Sequence, residues 1–163
     1  MCGVLCAMSA SKGISMLRLA GAAAIGAFAV GVAVASPLDD LKWSKRVLLV
    51  FAAAGDAELG KQRQLLSVVP AAEVADRDLV VLLVPPEGTT STLFGKPAGS
   101  YSATALRKVH GIDASDGFTA LLLGKDGGTK WRENRPGGAE ELFGLIDSMP
   151  MRMREMDGNG GEG

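Results

Sequence analysis

The apolar residues of this chain fall into two kinds of pattern, unbroken runs and spaced sets, and each predicts a different element. Val47-Leu48-Leu49-Val50-Phe51, Leu79-Val80-Val81-Leu82-Leu83-Val84 and Phe118-Thr119-Ala120-Leu121-Leu122-Leu123 hardly alternate, as expected of strands buried on both faces of an α/β sheet. Between the first two runs, Leu59, Leu65, Leu66 and Val69 recur at helical spacing up to Pro70. Asp56 stands where it can cap that helix, with Glu58 in its first turn. Arg77-Asp78 introduces the second strand and Pro85-Pro86 stops it, so the first half is a βαβ unit with a right-handed crossover.

The second half reads differently. From Pro85 to Ser100 the chain is rich in Pro, Gly, Ser and Thr and is expected to be a long surface loop. Tyr101 to His110 places Tyr101, Ala105, Leu106 and Val109 on one helical face, closed by Gly111. Lys125-Asp126-Gly127-Gly128 is a hairpin turn, and Thr129-Lys130-Trp131-Arg132 is the returning antiparallel strand. A last helix runs from Ala139 to Ser148, turning Leu142, Leu145, Ile146 and Met149 to the core, with Glu140 and Glu141 near its positive end. Ahead of the first strand, Pro37 to Trp43 forms a short lead-in with Leu38, Leu41 and Trp43 on one side.

The ends lie outside this plan. Residues 14–35 are an apolar run, Lys12 precedes it and Arg18 lies near its start, no acidic residue occurs before Asp39, and Ala33-Val34-Ala35 is a small-x-small cleavage site. That is the pattern of a secretory signal peptide over residues 1–35, cleaved after Ala35. An uncleaved anchor is the competing reading, since about 17 apolar residues separate Arg18 from Ser36. Alanine and glycine dominate the run, which weakens its transfer into lipid. Met8 or Met16 would serve equally as the start of a shorter leader. The folded domain is then expected over 36–156 and a glycine-rich disordered tail over 157–163.

Export would remove both cysteines, Cys2 and Cys6, and leave a periplasmic or secreted protein without disulfides, Cys-ligated zinc or a cysteine nucleophile. The formal charge of −1 mixes both signs along the chain, and no basic cluster or aromatic run offers a nucleic acid surface. A membrane would be met only through an uncleaved leader. No cofactor is implied.

The order β-α-β-α-β-β-α resembles the thioredoxin arrangement. Gly111-Ile112 and Leu121-Leu122-Leu123-Gly124-Lys125-Asp126-Gly127 are similar to the helix end, third strand and hairpin of thioredoxin. The resemblance implies a three-layer α/β/α fold with a central mixed sheet of about four strands and a carboxy-terminal hairpin and helix. It sets Asp56 and Leu59 at the two redox-cysteine positions and Thr119 at the cis-proline position, so shape carries over and thiol chemistry does not. A nearer resemblance runs over residues 38–156: Leu41-Lys42-Trp43, Leu49-Val50-Phe51, Arg77-Asp78, Gly124-Lys125-Asp126-Gly127, and Leu142-Phe143 through Met149-Pro150-Met151-Arg152 to Glu155-Met156. These residues are similar to an uncharacterised thioredoxin- or peroxiredoxin-like domain family of exported bacterial proteins. Related domains occur in sushi-repeat and coiled-coil-named extracellular matrix proteins, and no activity is settled for the family.

Each chemical motif has a structural competitor. Gly124-Lys125-Asp126-Gly127 lacks the Ser/Thr and following helix of a phosphate-binding loop and reads as a turn. Asp56 reads as an N-cap before it reads as a general base. Met149, Met151, Met153 and Met156 with His110 offer soft ligands for Cu(I), although methionines also fill gaps between helices and Arg152 and Arg154 would repel a cation. His110 itself, next to Gly111, is expected to be a helix-end cation or an exposed residue before it is a ligand or base. Arg46, Arg77 and Arg152 are expected to pair with Asp78, Asp147 or Glu155 and hold the carboxy-terminal segment on the sheet. The expectation is therefore an exported, redox-inactive binding module with no assigned catalytic, cofactor or metal residue. Its unknown protein or small-molecule ligand is expected at loop 85–100 or around Asp56 and Thr119. The alternatives are a methionine-based Cu(I) handler and an enzyme of unidentified chemistry built on Asp56, Lys125 or Arg46.

Overall fold

A computed structural model describes residues 36–96 and 99–159. Its strands are β1 (Arg46–Phe51), β2 (Leu79–Val84), β3 (Ser91–Phe94), β4 (Thr119–Leu123) and β5 (Thr129–Glu133). Its helices are α1 (Ala57–Ser67), α2 (Ala71–Asp76), α3 (Ala103–His110), α4 (Ala139–Asp147) and α5 (Pro150–Asn159), with a 3-10 turn at Asp39–Leu41. The strands form one mixed sheet in the order β3-β2-β1-β4-β5. β1 and β2 are parallel from Arg46↔Leu79 to Phe51↔Val84, and the other pairings are antiparallel. The architecture is α/β and fits a thioredoxin-like fold.

The unbroken apolar runs become the inner strands because both sheet faces are covered. Leu48, Val50, Val81, Leu83, Ala120 and Leu122 point to one face, where Leu59 and Leu66 of α1, Val74 of α2 and Leu142 and Ile146 of α4 meet them. Val47, Leu49, Phe51, Val80, Leu82, Leu121 and Leu123 point to the other, under Leu106 of α3 and Leu38 and Leu41 of the lead-in. Alternation survives in the direction of side chains, while both directions are apolar. The hairpin expected at Lys125 forms: Gly127 sits at φ 77°, donates to the Gly124 carbonyl at 2.9 Å, and leads into β5.

Several expectations are corrected. The sheet has five strands, because Ser91–Phe94 inside the expected 85–100 loop pairs with β2. Four residues of small and hydroxylated composition are too few to show a period of two. Helices α2 and α5 lie outside the expected elements, and α5 takes Asp157 to Asn159 out of the expected tail. Leu65 and Val109, placed on core faces by spacing, are 40% and 50% exposed. In α1 the inward positions go to Leu59, Gln62 and Leu66, and in α3 to Ala103, Leu106 and Arg107. Trp43, expected beside Leu38 and Leu41, is turned out to solvent. The expected signal peptide lies outside the described residues. No helix among the described residues is long and apolar enough to cross a membrane.

Gln62 shows why a polar residue occupies a core position. Its side chain is fully buried, donating to the Gly137 carbonyl at 3.0 Å and accepting from the Gly137 N–H at 2.9 Å. Both groups of an irregular segment before α4 are thereby satisfied, and that segment is fixed to α1. Gln62→Leu is expected to lower unfolding free energy by about 2–4 kcal/mol, because two buried backbone groups lose their partners. Urea unfolding followed by circular dichroism checks it.

Candidate functional site

The carboxyl end of β1 is where the thioredoxin resemblance puts chemistry, and its side chains are committed to structure. Phe51 pairs with Thr119, so the turn carrying Asp56 and the start of β4 share one end of the sheet. Asp56 Oδ1 accepts from the N–H groups of Glu58 at 2.8 Å and Leu59 at 3.4 Å, which makes it the expected N-cap. Leu59 is 1% exposed and belongs to the core. Thr119 is buried and its hydroxyl faces Asn134 Oδ1 at 3.3 Å. No cysteine occurs among the described residues.

The other sequence-predicted groups are dispersed. Arg46 begins β1 and Lys125 follows β4, so both lie at the end of the sheet opposite Asp56, and the trio proposed for an enzyme is not assembled. His110 packs edge-on against Phe51, with ring centroids 6.1 Å apart. Burial, and then the charge of Arg132, lower its pKa, which disfavours the helix-end cation, one of the two expectations for this residue. Phe51 belongs to the face covered by α3, whereas Met149 packs on the opposite face. Met149 precedes α5, and within the helix Met153 and Met156 stand three residues apart on one side while Met151 lies on another. His110 and the four methionines therefore do not converge. Among the described residues no group of three His, Cys, Asp or Glu side chains is placed to hold a metal.

At the amino-terminal end of β1 the expected arginine pairs form, in a larger network. The Arg46 side chain is wholly buried. Its Nη1 donates to the Arg77 carbonyl at 2.9 Å and its Nη2 to Glu155 Oε2 at 3.1 Å, while its Nε has no partner. Lys125 Nζ donates to Glu155 Oε1 at 2.7 Å and to Asp78 Oδ2 at 2.9 Å. Lys45 reaches Asp78 Oδ1 at 2.7 Å. Arg77 grips Asp147 with two nitrogens, the nearer at 2.6 Å, and its guanidinium lies 4.2 Å from the Phe143 ring centre. Arg152 donates to Asp147 at 3.1 Å, to the Asp76 carbonyl at 2.8 Å and to the Asp76 carboxylate. Lys45, Lys125 and Asp76 are the members that sequence reasoning missed. Lys125 stands in a segment that reads as a turn, and Asp76 follows Pro70 in a segment to which the sequence assigns no element, with no signal of pairing at either.

A family model for a domain of unknown function, DUF4174, matches residues 37–155. The chain belongs to that family. No curated protein and no solved structure matches it. The DUF4174 match runs through Arg152 to Glu155, so the ion network is internal to the domain.

In the DUF4174 domain this network replaces apolar packing as the attachment of α5. Arg152 alone is buried among the residues of α5 whose burial is described. Two non-glycine residues at the same end adopt left-handed backbone, Trp43 at φ 63° and Asp78 at φ 48°. Each is held by neighbours: the Trp43 N–H donates to the Lys125 carbonyl at 2.7 Å, and the Asp78 carbonyl accepts from the Arg46 N–H at 3.0 Å. Such conformations cost about 1–2 kcal/mol and persist where surrounding structure enforces them.

The network fixes the sign of a pH effect. Burial by itself would raise the carboxyl pKa of Asp78, Asp147 and Glu155, and the hydrogen bonds and charges of Lys45, Lys125, Arg46, Arg77 and Arg152 outweigh it, so all three are lowered. Groups with depressed folded-state pKa stabilise fully above their unfolded values, near 4, and lose that contribution as pH falls through the folded ones. Lowering pH from about 6 to about 3 is thus expected to reduce the protection of α5 amides, measured relative to their intrinsic exchange rate at each pH, before it reduces that of β1. Glu155→Gln is expected to lower stability by about 1–3 kcal/mol at neutral pH, a range discounted because Glu155 is partly solvated while Arg46 is not. Chemical denaturation of the variant at pH 7 and pH 4 checks it, with the difference from the parent shrinking at the lower pH.

Proposed function

We propose that this DUF4174 domain is an exported, redox-inactive, thioredoxin-like module that binds a ligand or partner. The observation that carries the reading is the occupation of the redox positions. Asp56 spends its carboxylate on a helix cap, Leu59 lies in the core, and Thr119 is buried beside Asn134. A thiolate is both the nucleophile and the electron store of thiol-disulfide exchange, and none of these side chains can take either part. Export is supported by the apolar segment before Ser36, its basic flank and Ala33-Val34-Ala35, which together would discard Cys2 and Cys6.

The purified protein is expected to show no reduction of insulin disulfides by dithiothreitol above the uncatalysed rate, and no thiol-dependent peroxide consumption. Reproducible turnover in metal-free buffer would overturn the reading. Export makes a separate prediction: mass spectrometry of the protein recovered from its native cells is expected to find a chain beginning at Ser36, and an intact leader would remove that part.

A further inference from the structure

We propose that a cavity between α2, the start of β2 and the end of β3 binds an amphipathic carboxylate with an aliphatic body, of the medium-chain fatty acid class. This rests on the binding-module reading and gives it a site and a ligand chemistry. The cavity measures about 660 Å³, within the range of small-molecule sites. Its walls are apolar: Leu41, Ala71, Ala75, Leu79, Leu93 and Phe94. Ala71 and Ala75 stand one turn apart on α2, and their small side chains leave the space that larger residues would fill.

The rim carries the opposite chemistry. Among the described residues that line it, Lys45 and Lys96 are the cations and Asp78 the one acid. Both Asp78 oxygens are already engaged, Oδ1 by Lys45 and Oδ2 by Lys125. Lys45 keeps donors to spare, since an ammonium has three. Lys96 has no ion pair among the described residues. The rim therefore presents net positive charge over an apolar chamber, which matches a ligand with an anionic head and a hydrocarbon body. Asp78 also holds one of the two left-handed non-glycine conformations among the described residues, and strain of this kind concentrates at ligand sites. A fully polar anion would forgo the walls, and a neutral hydrocarbon would forgo the rim.

The test uses the full chain and two probes of equal chain length, decanoate and decanol, titrated by calorimetry below the concentration at which either self-associates. Decanoate is expected to bind saturably at one site. Ala75→Trp, on an exposed helical position, fills the chamber and is expected to abolish that binding. Lys96→Glu is expected to weaken decanoate by about tenfold and leave decanol unchanged, because it reverses one charge at the rim. Circular dichroism and urea midpoints matching the parent establish that both variants are folded, and should Ala75→Trp not fold, Lys96→Glu decides the matter alone. Absence of saturable decanoate binding, equal binding by a folded Ala75→Trp, or equal loss of decanoate and decanol in Lys96→Glu would each overturn the proposal. Those failures leave the redox-inactive module standing if disulfide reduction stays at background, whereas disulfide turnover would overturn the module reading whatever decanoate does.

Discussion

A guanidinium buried at the first residue of the central strand constrains much of the rest of this molecule. Arg46 stands where β1 begins, with no exposure to water, and an ion in that position requires acceptors that the strand cannot supply. One comes from the Arg77 carbonyl just before β2, and the other from Glu155, which lies far along the chain in α5. The need to partner Arg46 thus calls the carboxy-terminal helix back to the sheet. Glu155 is shared with Lys125 after β4, and Lys125 is shared with Asp78 before β2, so the loops at one end of three adjacent strands are joined through two carboxylates. A buried network of this kind is no more stabilising than apolar packing of the same volume, because each ion loses its hydration, but removing one member leaves an uncompensated charge. It selects one placement of α5, which apolar contacts alone would leave loosely determined.

The two ends of the sheet are therefore unequal. At the end where the thioredoxin resemblance directs attention, Asp56 is absorbed by capping, Leu59 by the core and Thr119 by its contact with Asn134, and no cysteine lies there among the described residues. At the other end are the buried ions, both left-handed non-glycine residues and an apolar cavity with cations at its rim. A fold places its ligands only through the side chains it carries, so likeness of architecture is no guide to which end is used. In this domain buried charge and backbone strain concentrate at the end away from Asp56.

Much of this was legible in the chain because the informative residues are local. The runs 47–51, 79–84 and 118–123 announce inner strands, Asp56 announces a cap, and Lys125 to Gly128 announces a turn, each from a few neighbouring residues. The arginine pairs were legible as chemistry, since buried arginines call for carboxylates, but not as geometry. What stayed hidden depends on distant partners. Helix α5 has no apolar stripe, and its docking rests on ions contributed by β1, α2 and α4. Gln62 looks like a surface residue until Gly137 is set beside it. Leu65 and Val109 fit a helical spacing, yet the sheet presses against a neighbouring face of each helix. The strand β3 is four residues long and owes its conformation to the free edge of β2. His110 reads as a helix-end cation or an exposed residue because its contact with Phe51 cannot be seen from residues 108–112.

Asp78 is the residue at which the network and the cavity meet. Its backbone, at positive φ, accepts from Arg46; its carboxylate divides between Lys45, which lines the cavity, and Lys125, which holds Glu155. An anion placed against Lys45 competes for the ammonium that Asp78 Oδ1 occupies, and any shift of Asp78 toward Lys125 alters the charge balance around Glu155. Under the proposed carboxylate binding, occupancy of the cavity and attachment of α5 would be linked quantities, and linkage runs equally in both directions. The coupling passes through one carboxylate flanked by two lysines, with no longer pathway needed. It also gives a physical reason for a left-handed aspartate at the start of β2, since an extended backbone there would send the side chain elsewhere and separate the two lysines it now bridges.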